Sequence, residues 1–188
     1  MNFVQPIRDP KIVEEIKRYL KVRSLRNFLF FALGVHGGLR VSDLLQLQVR
    51  HVKGTHIKLR EGKTGKTNMF KIHPSLRDDI DAYIAGKHED EYLFASRQEK
   101  TKTKSKAEPI NRSTAYKMLR QVAQHFGLTD IGTHTMRKTF GYRLYMEDPR
   151  TLALLMKMFN HSDERITLMY LGLTQDVMDA AVERLSYS

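Results

Sequence analysis

The segment Thr133-His134-Thr135-Met136-Arg137 sets a histidine and an arginine three residues apart at the start of a stretch with helical periodicity. That spacing puts both side chains on one helix face, beside the positive end of the helix dipole. Backbone N–H groups at a helix start, the planar fork of an arginine and the ring N–H of a histidine together suit a phosphate. A His-x-x-Arg pair is common, so it defines a site only in company with other groups. Cysteine is absent, which excludes disulfides, thiolate metal sites and a cysteine nucleophile.

The charge balance points to the same kind of ligand. Lys and Arg number 32 against 21 Asp and Glu, a net charge of +11, the electrostatic footprint of a phosphate-backbone binder. Basic proteins also bind membranes and acidic partners, so charge alone does not choose among them. No apolar stretch approaches the ~20 residues that a membrane-spanning helix needs. Met1 to Pro10 carries charge and two prolines instead of a basic start followed by an apolar run, so a cytoplasmic protein is expected. With 188 residues, of which 41% are hydrophobic, the chain fits one globular domain with a real core.

The elements that must position these groups are mostly helices. Ile12, Val13, Ile16, Tyr19 and Leu20 recur at helical spacing between Lys11 and Val22. A second helix from about Ser24 is apolar nearly all round and stops at Gly37-Gly38. Ser42 is placed to cap a short helix carrying Leu44, Leu45 and Leu47, with Arg40 in the turn before it. Between Val49 and His73, alternation around His56-Ile57-Lys58-Leu59 and Met69-Phe70-Lys71-Ile72 predicts an antiparallel hairpin whose tip carries Lys63 and Lys66. A helix from Ser75 to about Ala85 follows, then a polar region from Gly86 that ends in the basic run from Arg97 to Lys106. That run is read as a mobile loop in which Arg97, Lys100, Lys102, Lys104 and Lys106, together with Lys66, meet phosphates. Helices return over Arg112–Phe126, Thr133–Met146, Pro149–Phe159, Asp163–Leu171 and Thr174–Leu185.

Gly37-Gly38-Leu39-Arg40-Val41-Ser42-Asp43-Leu44-Leu45, the turn Gly62-Lys63-Thr64-Gly65-Lys66, the His134/Arg137 pair, Asn160-His161-Ser162-Asp163 and Thr167-Leu168-Met169-Tyr170 follow one another in a telling order. In order and spacing these segments resemble the tyrosine recombinase family, over the length of its catalytic domain. The resemblance implies a mainly α fold with a small antiparallel β-sheet, an α+β arrangement. It implies a single catalytic domain over residues 1–188, with a core over about 11–173 and a C-terminal helix over 174–186. The family's usual N-terminal core-binding domain is expected to be absent, which would weaken the grip on DNA.

The resemblance also assigns roles. Arg40 and Arg137 look like the two arginines that clamp the scissile phosphate and neutralise the transition state. His134 and His161 look like the phosphate-contacting histidines, His134 also helping the tyrosine to lose its proton. Lys63 is similar to the lysine that protonates the departing 5′ oxygen, and Tyr170 to the nucleophile that holds the 3′ end as a phosphotyrosine. Asp43 matches the acidic position that orients its neighbours. Two arginines, two histidines and a lysine supply the positive charge that a metal supplies elsewhere, so no cofactor is expected. Double-stranded DNA is the implied partner, bound by a tetramer whose C-terminal helices dock on neighbouring subunits, with accessory DNA-bending proteins as further partners.

Each residue has a plainer reading. Arg40 could cap the preceding helix, Lys66 competes with Lys63 on spacing alone, and His161 could cap a helix. Tyr170 is one of 8 tyrosines, with Tyr142 and Tyr145 as rivals on the His134/Arg137 helix. The chain departs from the family pattern at Phe159-Asn160, where Leu-Gly is usual, at Lys138, where histidine is frequent, and at Leu171-Gly172, where polar residues are common. Other classes remain open: a DNA-binding regulator that keeps the fold with little catalysis, and a topoisomerase of the same mechanistic type. A metal-dependent nuclease is disfavoured, because no clustered carboxylates accompany the histidines.

Overall fold

A computed structural model describes residues 4–60, 65, 67–96, 108–174, 179, 182, 183 and 185. The first helix, α1 (Pro10–Arg23), begins where Asp9 accepts a hydrogen bond from Lys11 N at 2.8 Å and Pro10 fills the first turn. It buries Val13, Ile16 and Leu20, the apolar stripe seen in the sequence. Ser24 ends it and at once caps α2 (Leu25–Gly37), accepting from Asn27 N at 3.4 Å. Helix α2 buries Phe28 through Val35 without a break, so it is the central helix of the domain.

Gly38 closes α2 in the left-handed region at φ 64°, and an added Cβ there would also run into the Phe140 ring. The chain then turns through Arg40 into α3 (Val41–Leu45). Here the expectation fails in detail: the N-cap is Arg40, with extended backbone and no side-chain capping bond, and Ser42 already lies inside the helix. Leu39, Val41 and Leu44 are buried on either side of Arg40, and that burial dictates where the helix starts.

Strands β1 (His56–Arg60) and β2 (Thr67–Lys71) pair antiparallel, with Ile57 opposite Phe70 and both buried. The period-2 alternation sends that pair into the core and leaves Lys58 and Met69 exposed. A 3-10 turn (Pro74–Leu76) leads into α4 (Arg77–Ile84). The region after Gly86 is less polar in its placement than in its composition. Leu93 and Phe94 are fully buried, Phe94 edge-on to Phe30 at 5.1 Å, and short bridges pair Gln48 with Tyr92 and Ala95 with Pro109. Burial of two adjacent apolar residues outweighs the charge around them.

Helices α5 (Arg112–His125), α6 (Thr135–Glu147), α7 (Leu152–Phe159) and α8 (Glu164–Leu171) follow. The predicted Pro149 start is a 3-10 turn (Pro149–Thr151) ahead of α7. Helix α6 packs against α2 on one side and α8 on the other. A large core surrounds α2, and a smaller cluster of Leu155, Phe159, Leu171 and Leu173 lies between α6, α7 and α8. No helix among the described residues is long and apolar enough to cross a membrane. The predicted helix over 174–186 falls mostly outside the described residues.

Candidate active site

Arg137 lies in the first turn of α6 and is 3% exposed. Its Nη1 donates to Gly38 O and its Nη2 to Met158 O at 3.0 Å, while Cζ stands 4.4 Å from the centre of the Phe159 ring. The guanidinium thus ties the left-handed end of α2 to the end of α7. Arg40 follows Gly38 by two residues, its side chain 13% exposed and its Nη1 3.8 Å from Asp43 Oδ2. Asp43 is itself buried, in the first turn of α3. A buried carboxylate beside a half-buried guanidinium restrains that cation.

Tyr170 is the penultimate residue of α8 and is half-buried. Its Oη is 3.4 Å from Nδ1 of His134, the N-cap residue of α6. Its ring meets Phe159 at 5.4 Å and His161 at 5.3 Å, both edge to face. His161 follows α7, and its Nδ1 is 3.0 Å from Oγ1 of Thr167, a wholly buried residue of α8. Burial pushes the Tyr170 phenol above its ordinary range, while the charges of Arg137 and Arg40 and a hydrogen bond from Arg137 act in the other direction. At neutral pH the group is therefore a neutral phenol set among cations, with a histidine nitrogen next to its proton.

Of the residues singled out in the sequence, Arg40, Asp43, His134, Arg137, His161 and Tyr170 come together around the α6 start and the α8 end. Lys63, Lys66, Arg97, Lys100, Lys102, Lys104 and Lys106 lie outside the described residues. Tyr142 and Tyr145, the rival tyrosines, pack against the small cluster behind Tyr170, with the Arg8 guanidinium 5.5 Å above the Tyr142 ring. Among the described residues no group of three or more His, Asp or Glu side chains is arranged to hold a metal ion.

The departures from the family pattern now have physical accounts. Asn160 ends α7 in the left-handed conformation at φ 58°, which asparagine tolerates better than most residues that could replace glycine. Gly172 ends α8 in the same way, with buried Leu171 and Leu173 on either side. Lys138 was noted in the sequence only as an exception, yet it is 5% exposed and its Nζ stands 4.9 Å from the centre of the Tyr170 ring. A lysine inside a first helical turn, next to a buried arginine, carried no mark in the sequence that set it apart from solvated lysines.

The fold and this arrangement have counterparts among known proteins. The XerA recombinase crystal structure superposes with a TM-score of 0.72 at 16% identity, over 97% of this chain and 65% of that one. The XerH site-specific recombinase, crystallised with a palindromic difH substrate as a post-cleavage complex, superposes with a TM-score of 0.68 at 18% identity, over 95% of this chain and 53% of that one. At such identity these structures show a shared fold, that of the tyrosine recombinase catalytic domain, and this chain spans at most about two thirds of either. The sequence pattern of the phage integrase family matches residues 8–176, and the chain belongs to that family. The probable integrase/recombinase YoeC of Bacillus subtilis (strain 168) is 40% identical over 182 residues, which is 96% of this chain and 96% of YoeC.

Proposed function

We propose that residues 1–188 form the catalytic domain of a site-specific DNA recombinase that breaks and rejoins duplex DNA through a 3′-phosphotyrosine link, without metal or ATP. The observation that carries this reading is the meeting of Tyr170 Oη with His134 Nδ1 beside the Arg137 and Arg40 charges. Family membership and a fold shared with recombinases such as XerH support it.

In this reading Arg40 and Arg137 bind the non-bridging oxygens of the scissile phosphate and offset the charge that builds in the transition state. His134 accepts the Tyr170 proton as the phenolate oxygen attacks phosphorus, and His161 donates a hydrogen bond to the phosphate. The bond from phosphorus to the 5′ oxygen breaks, and that oxygen takes a proton from Lys63. Asp43 keeps Arg40 in place. Resealing is the same path in reverse: a 5′ hydroxyl attacks the phosphotyrosine and Tyr170 leaves. The covalent link conserves the phosphodiester's energy, so no nucleotide is consumed. Lys66 and the basic run from Arg97 to Lys106 would contact the backbone, a tetramer would pair two sites, and DNA-bending proteins could assist.

The test is covalent trapping in EDTA on nicked suicide DNA taken from the gene's flanking region. An SDS-resistant adduct that disappears in Tyr170→Phe is expected. Duplex binding with no adduct, or an adduct that persists in Tyr170→Phe, would overturn the assignment; the former would favour a DNA-binding regulator.

A further inference from the structure

We propose that Lys138 is a positioning residue for the Tyr170 nucleophile: its ammonium, held against the face of the phenol ring, fixes the ring's orientation and favours phenolate over phenol. The inference rests on the reading of Tyr170 as the attacking group. Lys138 is one residue beyond Arg137 on α6, is buried, and lies over the Tyr170 ring at 4.9 Å from the centroid.

That position differs from those of the other basic groups described at the site. Arg137 and Arg40 act at the hydroxyl end of Tyr170, His134 lies 3.4 Å from Oη, and His161 meets the ring at 5.3 Å with its plane tilted by 72°. Only Lys138 among these presents a full charge to the ring's π face. A cation there is attracted by the ring quadrupole, more strongly where water is excluded. When the phenol ionises, negative charge spreads into the ring, so the same contact strengthens and the phenolate gains more than the phenol. Lys138 is buried at the ring face. It acts through Tyr170 and takes no proton, since the proton's partner is His134. Burial pushes the Lys138 ammonium below the ordinary lysine range, the direction expected of a charge held out of water.

The experiment compares wild type, Lys138→Met, Lys138→Arg and Tyr170→Phe in the suicide-DNA adduct assay between about pH 6 and 10, with duplex affinity and thermal unfolding measured on each. Lys138→Met keeps the stem and removes the charge. It is expected to slow adduct formation about tenfold at neutral pH with DNA affinity unchanged. The deficit narrows in alkali, where wild-type Lys138 sheds its own proton. Lys138→Arg restores the neutral rate and keeps its advantage in alkali, because an arginine does not deprotonate there. A Lys138→Met deficit equal at every pH, or no deficit, overturns the proposal while leaving Tyr170 as nucleophile. Wild type without a Tyr170-dependent adduct sinks the underlying reading, and the Lys138 role falls with it.

Discussion

Tyr170 Oη lies 3.4 Å from Nδ1 of His134, although 36 residues separate them in the chain. The contact joins the end of α8 to the start of α6. It matters to the proposed cleavage because burial raises the Tyr170 phenol above its ordinary range, so that reaction needs a base to remove the proton at neutral pH. His134→Ala should slow adduct formation by about 100-fold or more, with duplex affinity little changed. Since a raised phenol is less ionised at any given pH, the residual rate of His134→Ala should climb with pH from neutral into alkali. A flat profile in single-turnover assays would remove His134 from the proton path.

Arg137 is placed to serve stability as well as the proposed chemistry, because its fork satisfies the carbonyls of Gly38 and Met158 in a buried setting. Arg137→Ala leaves both acceptors unpaired and should cost about 2–3 kcal/mol in urea unfolding, in addition to abolishing adduct formation. Arg137→Lys, a point charge without the fork, should recover part of the stability and little of the rate.

Gly141 lets α6 approach the ends of α7 and α8. A Cβ there would stand 2.6 Å from Leu171 Cδ2 and 2.8 Å from Phe159 Cζ, two side chains that are themselves buried. Gly141→Ala is expected to destabilise the domain by about 1–3 kcal/mol and to slow cleavage through displacement of Tyr170. Thermal unfolding and the adduct assay read the two effects separately.

Asn160 holds a left-handed backbone at the end of α7, immediately before His161. Asn160→Gly should leave stability within about 0.5 kcal/mol and keep activity, whereas Asn160→Val should cost about 1–2 kcal/mol. Equal stability of the two variants in urea would refute the conformational account.

His36, a half-buried residue of α2, is pushed from its ordinary 6.5 down to about 4, by burial first and then by the nearby charges of Lys17 and His73. Lys17 Nζ lies 3.3 Å from its Nε2, so that nitrogen is the acceptor and the ring is neutral. The unfolded chain binds a proton that the folded one refuses between these pH values. Stability is therefore complete above pH 6.5 and declines as pH falls toward 4. Allowing for solvent screening of a partly exposed ring, the loss should be about 2 kcal/mol. Urea midpoints from pH 7 to 4 should show the decline in wild type and a shallower one in His36→Gln.

Most of the architecture was legible in the sequence because its causes are local. The stripe Val13, Ile16 and Leu20 defines α1, the apolar run that stops at Gly37-Gly38 defines α2, and the alternation around Ile57 and Phe70 defines the hairpin. The order of the motif segments identified the family, since Arg40, His134, Arg137, His161 and Tyr170 are each tied to a short local pattern. The exact start of α3 was not legible: burial of Leu39 and Val41, a tertiary matter, overrode the capping preference of Ser42. Nor was the burial of Leu93 and Phe94 inside a polar stretch, because what covers them comes from distant segments. Lys138 marks the limit most clearly. Its residue type says solvent, and only the packing of α8 across α6 puts its charge against the Tyr170 ring. The sequence determined which groups this protein carries and which helices present them; the close packing of α2, α6 and α8 decided which of those groups touch.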